Sequence, residues 1–319
     1  ANTTANANNA FGYGALGANT EGTQNCAYGY LTLDANTTAS NNTAFGNSAL
    51  GANTTASNNT AIGKGALQNN TTGTTNVALG RDALYSNTTA NNNTALGKDA
   101  LYANTEGYSN VAVGMNSGVT NVTGVENVYV GHASGGLSTG SSNVFVGQGA
   151  GYNSTGSTNT FLGKDSGISM TSGSKNTIVG KYSGNGGGLD IRTSTNYIVL
   201  SDGDGNPRQV INGSGQVGIG TVSPSILFEV AGDVNANYIG SFHNDGNDAN
   251  RYVLRLAGGS DSGSGTSYLV GLQDGDFNSV GSITHSGGNA SFNTSSDYRL
   301  KENIVDMTGA INRVKTTNI

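Results

Sequence analysis

Short apolar triplets alternate with long polar stretches along this chain, and the alternation is periodic. The motif Asn-x-small-apolar-Gly recurs with its glycine at Gly12, Gly29, Gly46, Gly63, Gly80, Gly97, Gly114, Gly131, Gly147, Gly163 and Gly180. The step between glycines is seventeen positions seven times, then sixteen twice, then seventeen again. Four positions before every glycine stands an asparagine, Asn42, Asn59, Asn76 and Asn93 among them. The residue just before each glycine is always apolar, from Phe11 and Tyr28 to Val179. A unit this short cannot bury a face alone, whereas stacked units give each coil neighbours above and below, as in solenoids. Thr43-Ala44-Phe45 and Val128-Tyr129-Val130 therefore predict short strands with alternating faces. Glycines such as Gly46, Gly63, Gly80 and Gly97 suit a sharp turn or a close backbone approach. The stacked asparagines predict an amide hydrogen-bond ladder. Eleven coils at about 4.8 Å per interval make a rod roughly 48 Å long.

The array has two halves. In the first six units the third and fourth residues after the glycine are Ala-Leu or Thr-Leu, as in Ala15-Leu16, Ala49-Leu50 and Ala66-Leu67. In the last five they become Ser-Gly or Ala-Gly, as in Ser117-Gly118 and Ser166-Gly167. Over nearly the same boundary the residue two before the glycine grows from Ala to Tyr129, Phe145, Phe161 and Ile178. Close packing demands such an exchange if both positions fill one pocket. Tyr129, Phe145 and Phe161 are thus expected in the space that Leu16, Leu50 and Leu67 fill earlier. Unit seven, with Ala112 and Gly118, is expected to be the loosest layer.

Beyond the array, residues 196–200 read as a last, degenerate unit. Ser201-Asp202-Gly203-Asp204-Gly205-Asn206 lies between apolar runs and predicts a hairpin turn. A calcium loop is the sharper alternative, but the position that should close it with an acidic group is Gly213. Gly218-Ile219-Gly220 is not a dinucleotide fingerprint, because it lacks the third spaced glycine and a following helical pattern. Segments 238–242, 252–256, 268–272 and 280–284 predict strands of a small β-domain. Ile304, Met307, Ile311 and Val314 share one helical face and predict a short C-terminal helix. The chain therefore divides into a repeat stalk (1–184), a neck with a hairpin (185–232), a β tip (233–295) and a C-terminal segment (296–319). The fold class expected is all-β, a β-solenoid or β-roll stalk carrying a small distal β-domain.

Composition narrows the function classes. Charged residues make up 11% of 319 positions, against roughly 25% in ordinary soluble domains. Strict periodicity argues against the disorder that low charge with abundant Gly, Asn and Thr would otherwise suggest. A net charge of −6 carries no basic footprint, so nucleic acid is not an expected partner. No segment approaches the roughly 18 apolar residues of a membrane-spanning helix, so membrane insertion is not expected. The lone Cys26 takes the place of Thr43 one unit later and reads as a small strand residue. His132, His243 and His285 have neither mutual spacing nor cysteine partners, so no metal site or cofactor is expected. His132 occupies a position held elsewhere by Lys64, Arg81 and Lys98, hence a solvated one. Asp82, Asp99 and Asp165 recur at one repeat position, where solvation accounts for them. Sequons such as Asn36-Thr37-Thr38 and Asn87-Thr88-Thr89 leave glycosylation open. Paired carboxylates with the spacing a glycosidase needs are not identifiable. The opening Ala1-Asn2-Thr3-Thr4-Ala5 reads as the middle of a repeat, so the chain is expected to be cut from a longer protein.

Three strings carry a family resemblance. Over about residues 8–184 the repeat resembles the head repeats of trimeric autotransporter adhesins, and still more the arrays in tail-fibre-domain proteins of marine phages and related bacteria. That resemblance implies an extended homotrimer. Gly218-Ile219-Gly220-Thr221-Val222-Ser223-Pro224, followed by Leu227-Phe228-Glu229-Val230-Ala231-Gly232, resembles the neck that precedes the terminal domain of phage tail fibres. Ser296-Asp297-Tyr298-Arg299-Leu300-Lys301-Glu302-Asn303-Ile304 resembles the start of the intramolecular chaperone of endosialidases and phage tail fibres, matching every fixed position of Ser-Asp-x-Arg-Leu-Lys-x-Asn-Ile. The resemblance implies trimerisation followed by self-cleavage between Ser296 and Asp297. Ser296 would be the nucleophile and Lys301 the base, with Arg299 supplying charge or binding Asp297. A lysine can take a serine's proton only with a much lowered pKa. Attack within one's own segment gains a very high effective concentration once folding orients it. Only the segment from Asp297 to Ile319 follows Ser296, so a truncated chaperone is expected.

Together these readings imply a virion tail or side fibre, structural and adhesive, with no turnover activity. Its expected partners are two further copies of itself, a host cell-surface glycan or protein receptor, and other virion tail proteins. The alternative is a bacterial surface adhesin or extracellular fibre of the same modular type.

Overall fold

The computed structural model describes residues 5–232, 267–273, 279–286 and 289–294. It has two compact units, Ala1–Ile239 and Gly240–Ile319. The described residues are all-β, without a helix.

In the first unit every triplet before a repeat glycine is a three-residue strand. These are β1 to β11: Asn9–Phe11, Cys26–Tyr28, Thr43–Phe45, Thr60–Ile62, Val77–Leu79, Thr94–Leu96, Val111–Val113, Val128–Val130, Val144–Val146, Thr160–Leu162 and Thr177–Val179. Each pairs in parallel with the next at equivalent positions; Thr43 lies opposite Thr60, Ala44 opposite Ala61, and Phe45 opposite Ile62. The corners are bonded between coils as well. Leu50 N–H donates to Ala66 O at 3.0 Å, and Gly46 N–H donates to Tyr28 O at 2.9 Å. A solenoid contact joins residues one period apart, which is why the sequence period is also the contact pattern.

The repeat glycine is required twice over. Gly46 has φ +130°, and a Cβ there would fall 2.6 Å from the carbonyl oxygen of Gly63 in the next coil. An L side chain is excluded by conformation and by the closeness of the neighbouring coil.

The sheet continues into the neck. β14 (Ile198–Ser201) is parallel to β11, confirming the degenerate last unit. β15 (Pro207–Ile211) and β16 (Val217–Ile219) follow antiparallel, and β17 (Phe228–Val230) is parallel to β16. Between β11 and β14 a small hairpin is inserted, β12 (Asn185–Gly186) with β13 (Leu189–Asp190). The expected turn at 201–206 joins β14 to β15. Asp202 Oδ1 accepts the N–H groups of Asp204 and Asn206 at 3.0 and 2.9 Å, and its other oxygen is held by Arg208. The carboxylate is thus used to close the turn. In the second unit, β18 (Ser267–Gln273), β19 (Ser279–Ser286) and β20 (Asn289–Thr294) form an antiparallel sheet. The first two contain segments 268–272 and 280–284. The apolar pattern does not announce β20, because Phe292 is its one large apolar residue. Segments 238–242 and 252–256 and the helix through Ile304, Met307, Ile311 and Val314 lie outside the described residues.

The core of the stalk runs inside a single chain. Ala44, Ala49 and Leu50 are fully buried in the third coil, and their counterparts repeat coil after coil. From the eighth coil Tyr129, Phe145 and Phe161 are fully buried instead, tilted or stacked at ring-centroid distances of 5.8 and 4.9 Å. The volume exchange takes place as expected. A Cβ on Gly135 would meet the Tyr129 ring at 2.4 Å, one on Gly151 the Phe145 ring at 2.4 Å, and one on Gly167 the Phe161 ring at 2.5 Å. The seventh coil is not the open layer that its small residues suggest. A Cβ on Gly118 would lie 2.6 Å from Tyr129 and 3.0 Å from Leu101, so neighbours on both sides lean into its space.

Candidate functional site: an uncharged ladder along the stalk

The four residues expected to carry self-cleavage, Ser296, Asp297, Arg299 and Lys301, lie outside the described residues. The surface that the structure does define is the outward face of the stalk sheet.

In each triplet the middle residue points inward, so its two neighbours face out. The column just before the glycine runs Phe11, Tyr28, Phe45, Ile62, Leu79 and on through Leu162 and Val179 to Leu200, all large apolar residues. Phe11 is 64% exposed, Leu79 48% and Leu162 48%. The parallel column, Cys26, Thr43, Thr60, Val77 and onward to Ile198, is small or β-branched. Neither column contains a charged residue over twelve strands. Twelve strands at about 4.8 Å span about 53 Å. Rings stack along it: Phe11 on Tyr28 at 4.6 Å, and Tyr28 on Phe45 at 5.6 Å. A contiguous apolar strip of this length is uncommon on a monomeric protein.

Charge begins one residue past the glycine. Arg81 pairs with Asp82 at 3.2 Å and approaches Asp99 at 3.9 Å, and Lys98 pairs with Asp99 at 3.2 Å. His132 is exposed in the same column. The recurring aspartates have a conformational reason as well as a solvation one. Asp82, Asp99 and Asp165 have φ of 56–57°, a left-handed corner that Asp tolerates better than most residues.

The expected asparagine ladder exists, with different chemistry. Asn59 Oδ1 accepts Asn76 N–H at 2.9 Å, and Asn59 Nδ2 donates to Gly73 O at 2.9 Å. It is therefore a side-chain-to-backbone ladder, with amide–amide contacts only from Asn93 to Asn143 at 3.1–3.2 Å. The amide ladder proper lies in a second column that the repeat motif does not reveal. Asn36 Nδ2 donates to Asn19 Oδ1, and the chain of bonds continues through Asn53, Asn70, Asn87 and Asn104 to Asn121. The two ladders meet: Gly73 O accepts from both Asn59 and Asn70. The recurrence of Asn-Thr at the repeat period is its signal in the sequence. Asn36 and Asn87 are fully buried with their amides engaged, so these two sequons are closed to glycosylation in the folded chain. The ladder ends where Ser138 replaces asparagine, leaving Asn121 Oδ1 buried without a partner.

Burial shifts two tyrosines, and hydrogen bonding shifts the Asp202 carboxylate. Tyr129 and Tyr182 are fully buried, and desolvation pushes both hydroxyls well above the usual tyrosine range. Tyr129 O–H donates to Ser138 Oγ at 3.3 Å and Tyr182 O–H to Leu189 O at 2.8 Å. The hydrogen bonds from Asn206, with help from Arg208, hold Asp202 well below the usual carboxylate range. Comparison with known proteins finds no matching family model, no matching curated protein and no matching solved structure.

Proposed function

We propose that this chain is the outer part of a homotrimeric attachment fibre, a virion tail or side fibre, that contacts a host-surface receptor and matures by self-cleavage between Ser296 and Asp297. The observation that carries the reading is the outward ladder. Each coil already buries its own alanines, leucines and asparagines, so the external column from Phe11 to Leu200 is not needed for the intrachain core. An uncharged strip along the full rod suits parallel chains packed in register about a common axis, each covering the others' strip. Three linked copies of any receptor site would gain avidity without new contacts. The matched string from Ser296 to Ile304 supports the maturation step, in which assembly brings the serine onto its own downstream bond.

Sedimentation equilibrium tests the assembly. The expected mass is three times that of one chain, and below three times 32.1 kDa once Asp297–Ile319 is released. Leu79→Lys combined with Val130→Lys should yield a folded single chain, because both side chains lie outside the core. A wild-type product that is well folded as a single chain, at 32.1 kDa or less, would end the trimer reading.

A further inference from the structure

The regular coils present the same surface once per period, but the array is interrupted once. From β11 to β14 the step runs from Thr177 to Ile198, longer than any before it, and the extra length forms the β12–β13 hairpin. Insertions into a solenoid project on one face, often the binding face. This one faces the 202–206 turn across a cleft of about 400 Å³, within the span of small-molecule sites. We propose that this cleft binds a neutral saccharide.

Both walls are preorganised. Buried Tyr182 donates to Leu189 O at 2.8 Å and Ser183 Oγ to Asn185 O at 2.9 Å, while Arg192 clasps Asp190 at 2.7 Å. The opposite wall is fixed by the Asp202 carboxylate inside its turn. Three charged side chains of the lining, in contrast, are uncommitted. Asp165, Lys181 and Asp204 line the cleft, and among the described residues their side chains take part in no hydrogen bond or ion pair. Two carboxylates accept from sugar hydroxyls, and an ammonium and the Asn185 amide donate to them. Ile168 offers a small apolar flank for the C–H face of a pyranose. With two carboxylates to one ammonium the cleft is net negative, which disfavours acidic sugars. The inference deepens the fibre reading by giving the receptor a chemical class and a place, but binding itself does not require the trimer.

Saturation-transfer NMR on the full chain tests it, with the methyl glycosides of glucose, galactose, mannose and N-acetylglucosamine as probes. Transfer to at least one of them is expected. It should fall at least fivefold in Asp204→Ala and in Lys181→Ala, and stay unchanged in Asp82→Ala on a regular coil. No transfer from any probe, or transfer indifferent to both cleft variants, overturns the site. Sedimentation of the same samples separates the two readings. A trimer that binds no sugar removes only the cleft, and a single chain that binds sugar removes only the fibre.

Discussion

The ring of Tyr129 covers the α-carbon of Gly135, so closely that a Cβ there would sit 2.4 Å from a ring carbon. The pair replaces an Ala and a Leu of the earlier coils, and the exchange relieves strain as well as conserving volume. Leu16, Leu33, Leu50, Leu67, Leu84 and Leu101 all have φ near +50°, a left-handed conformation that costs a non-glycine residue about 1–2 kcal/mol. Gly135, at φ +59°, occupies the same corner without that cost.

Moving the exchange into an early coil should show the coupling. Leu84→Gly alone should cost about 3–5 kcal/mol as a cavity. Ala78→Phe alone should cost about 1–3 kcal/mol as overpacking. Together they should recover about 2 kcal/mol of the summed loss in a double-mutant cycle. Strict additivity in urea unfolding would mean that the two positions do not share a pocket.

The polar ladder makes a second prediction. Asn59→Ala leaves Asn76 N–H without its acceptor and takes one donor from Gly73 O. The expected loss is about 3 kcal/mol. Asn59→Asp should be worse at pH 7, because a buried carboxylate oxygen would face the Gly73 carbonyl. Its folded-state pKa would be raised, so stability should return as pH falls and the carboxyl protonates. A denaturation midpoint equal to wild type at pH 7 would show that the ladder contributes little.

At alkaline pH the buried tyrosines govern stability. Their folded pKa values lie above the unfolded value, so their contribution is complete below about pH 10 and is lost as pH rises beyond it. Tyr129→Phe should therefore flatten the fall in melting temperature above that pH. At the acid end, Asp202 is depressed and its contribution is present above about pH 4, declining as pH falls further. The 202–206 turn should loosen there, read by hydrogen exchange of Asp204 and Asn206. An Asp202→Asn variant with the same acid profile as wild type would assign that loosening elsewhere.

The proposed maturation predicts a mass difference. Mass spectrometry of the purified product should show a chain ending at Ser296, and the Ser296→Ala product should stay intact. A wild-type product that stays intact through Ile319 would remove self-cleavage from the account.

Much of the fold was legible because a solenoid repeats its contacts. Asn59 and Asn76 are neighbours in space because they are one period apart in sequence, and Phe145 succeeds Leu67 in the core because constant volume per layer can be read across aligned units. The candidate surface was legible only in part. The apolar column before each glycine was visible, but that it lies outside the core depends on the middle residue of each triplet pointing inward. The cleft beside Lys181 was not legible, since Asp165 and Asp204 do not stand a whole number of periods apart.

By itself the sequence determined the period, the strand positions, the glycine corners and the exchange of Leu for aromatic volume, because each is a relation between residues one repeat apart. The tertiary structure alone decided which asparagines carry the amide ladder, which leucines stand in left-handed corners and which columns reach solvent. Those outcomes depend on how each short coil bends between its strands, and a polar Asn at one bend is buried while an apolar Leu on the sheet face is not.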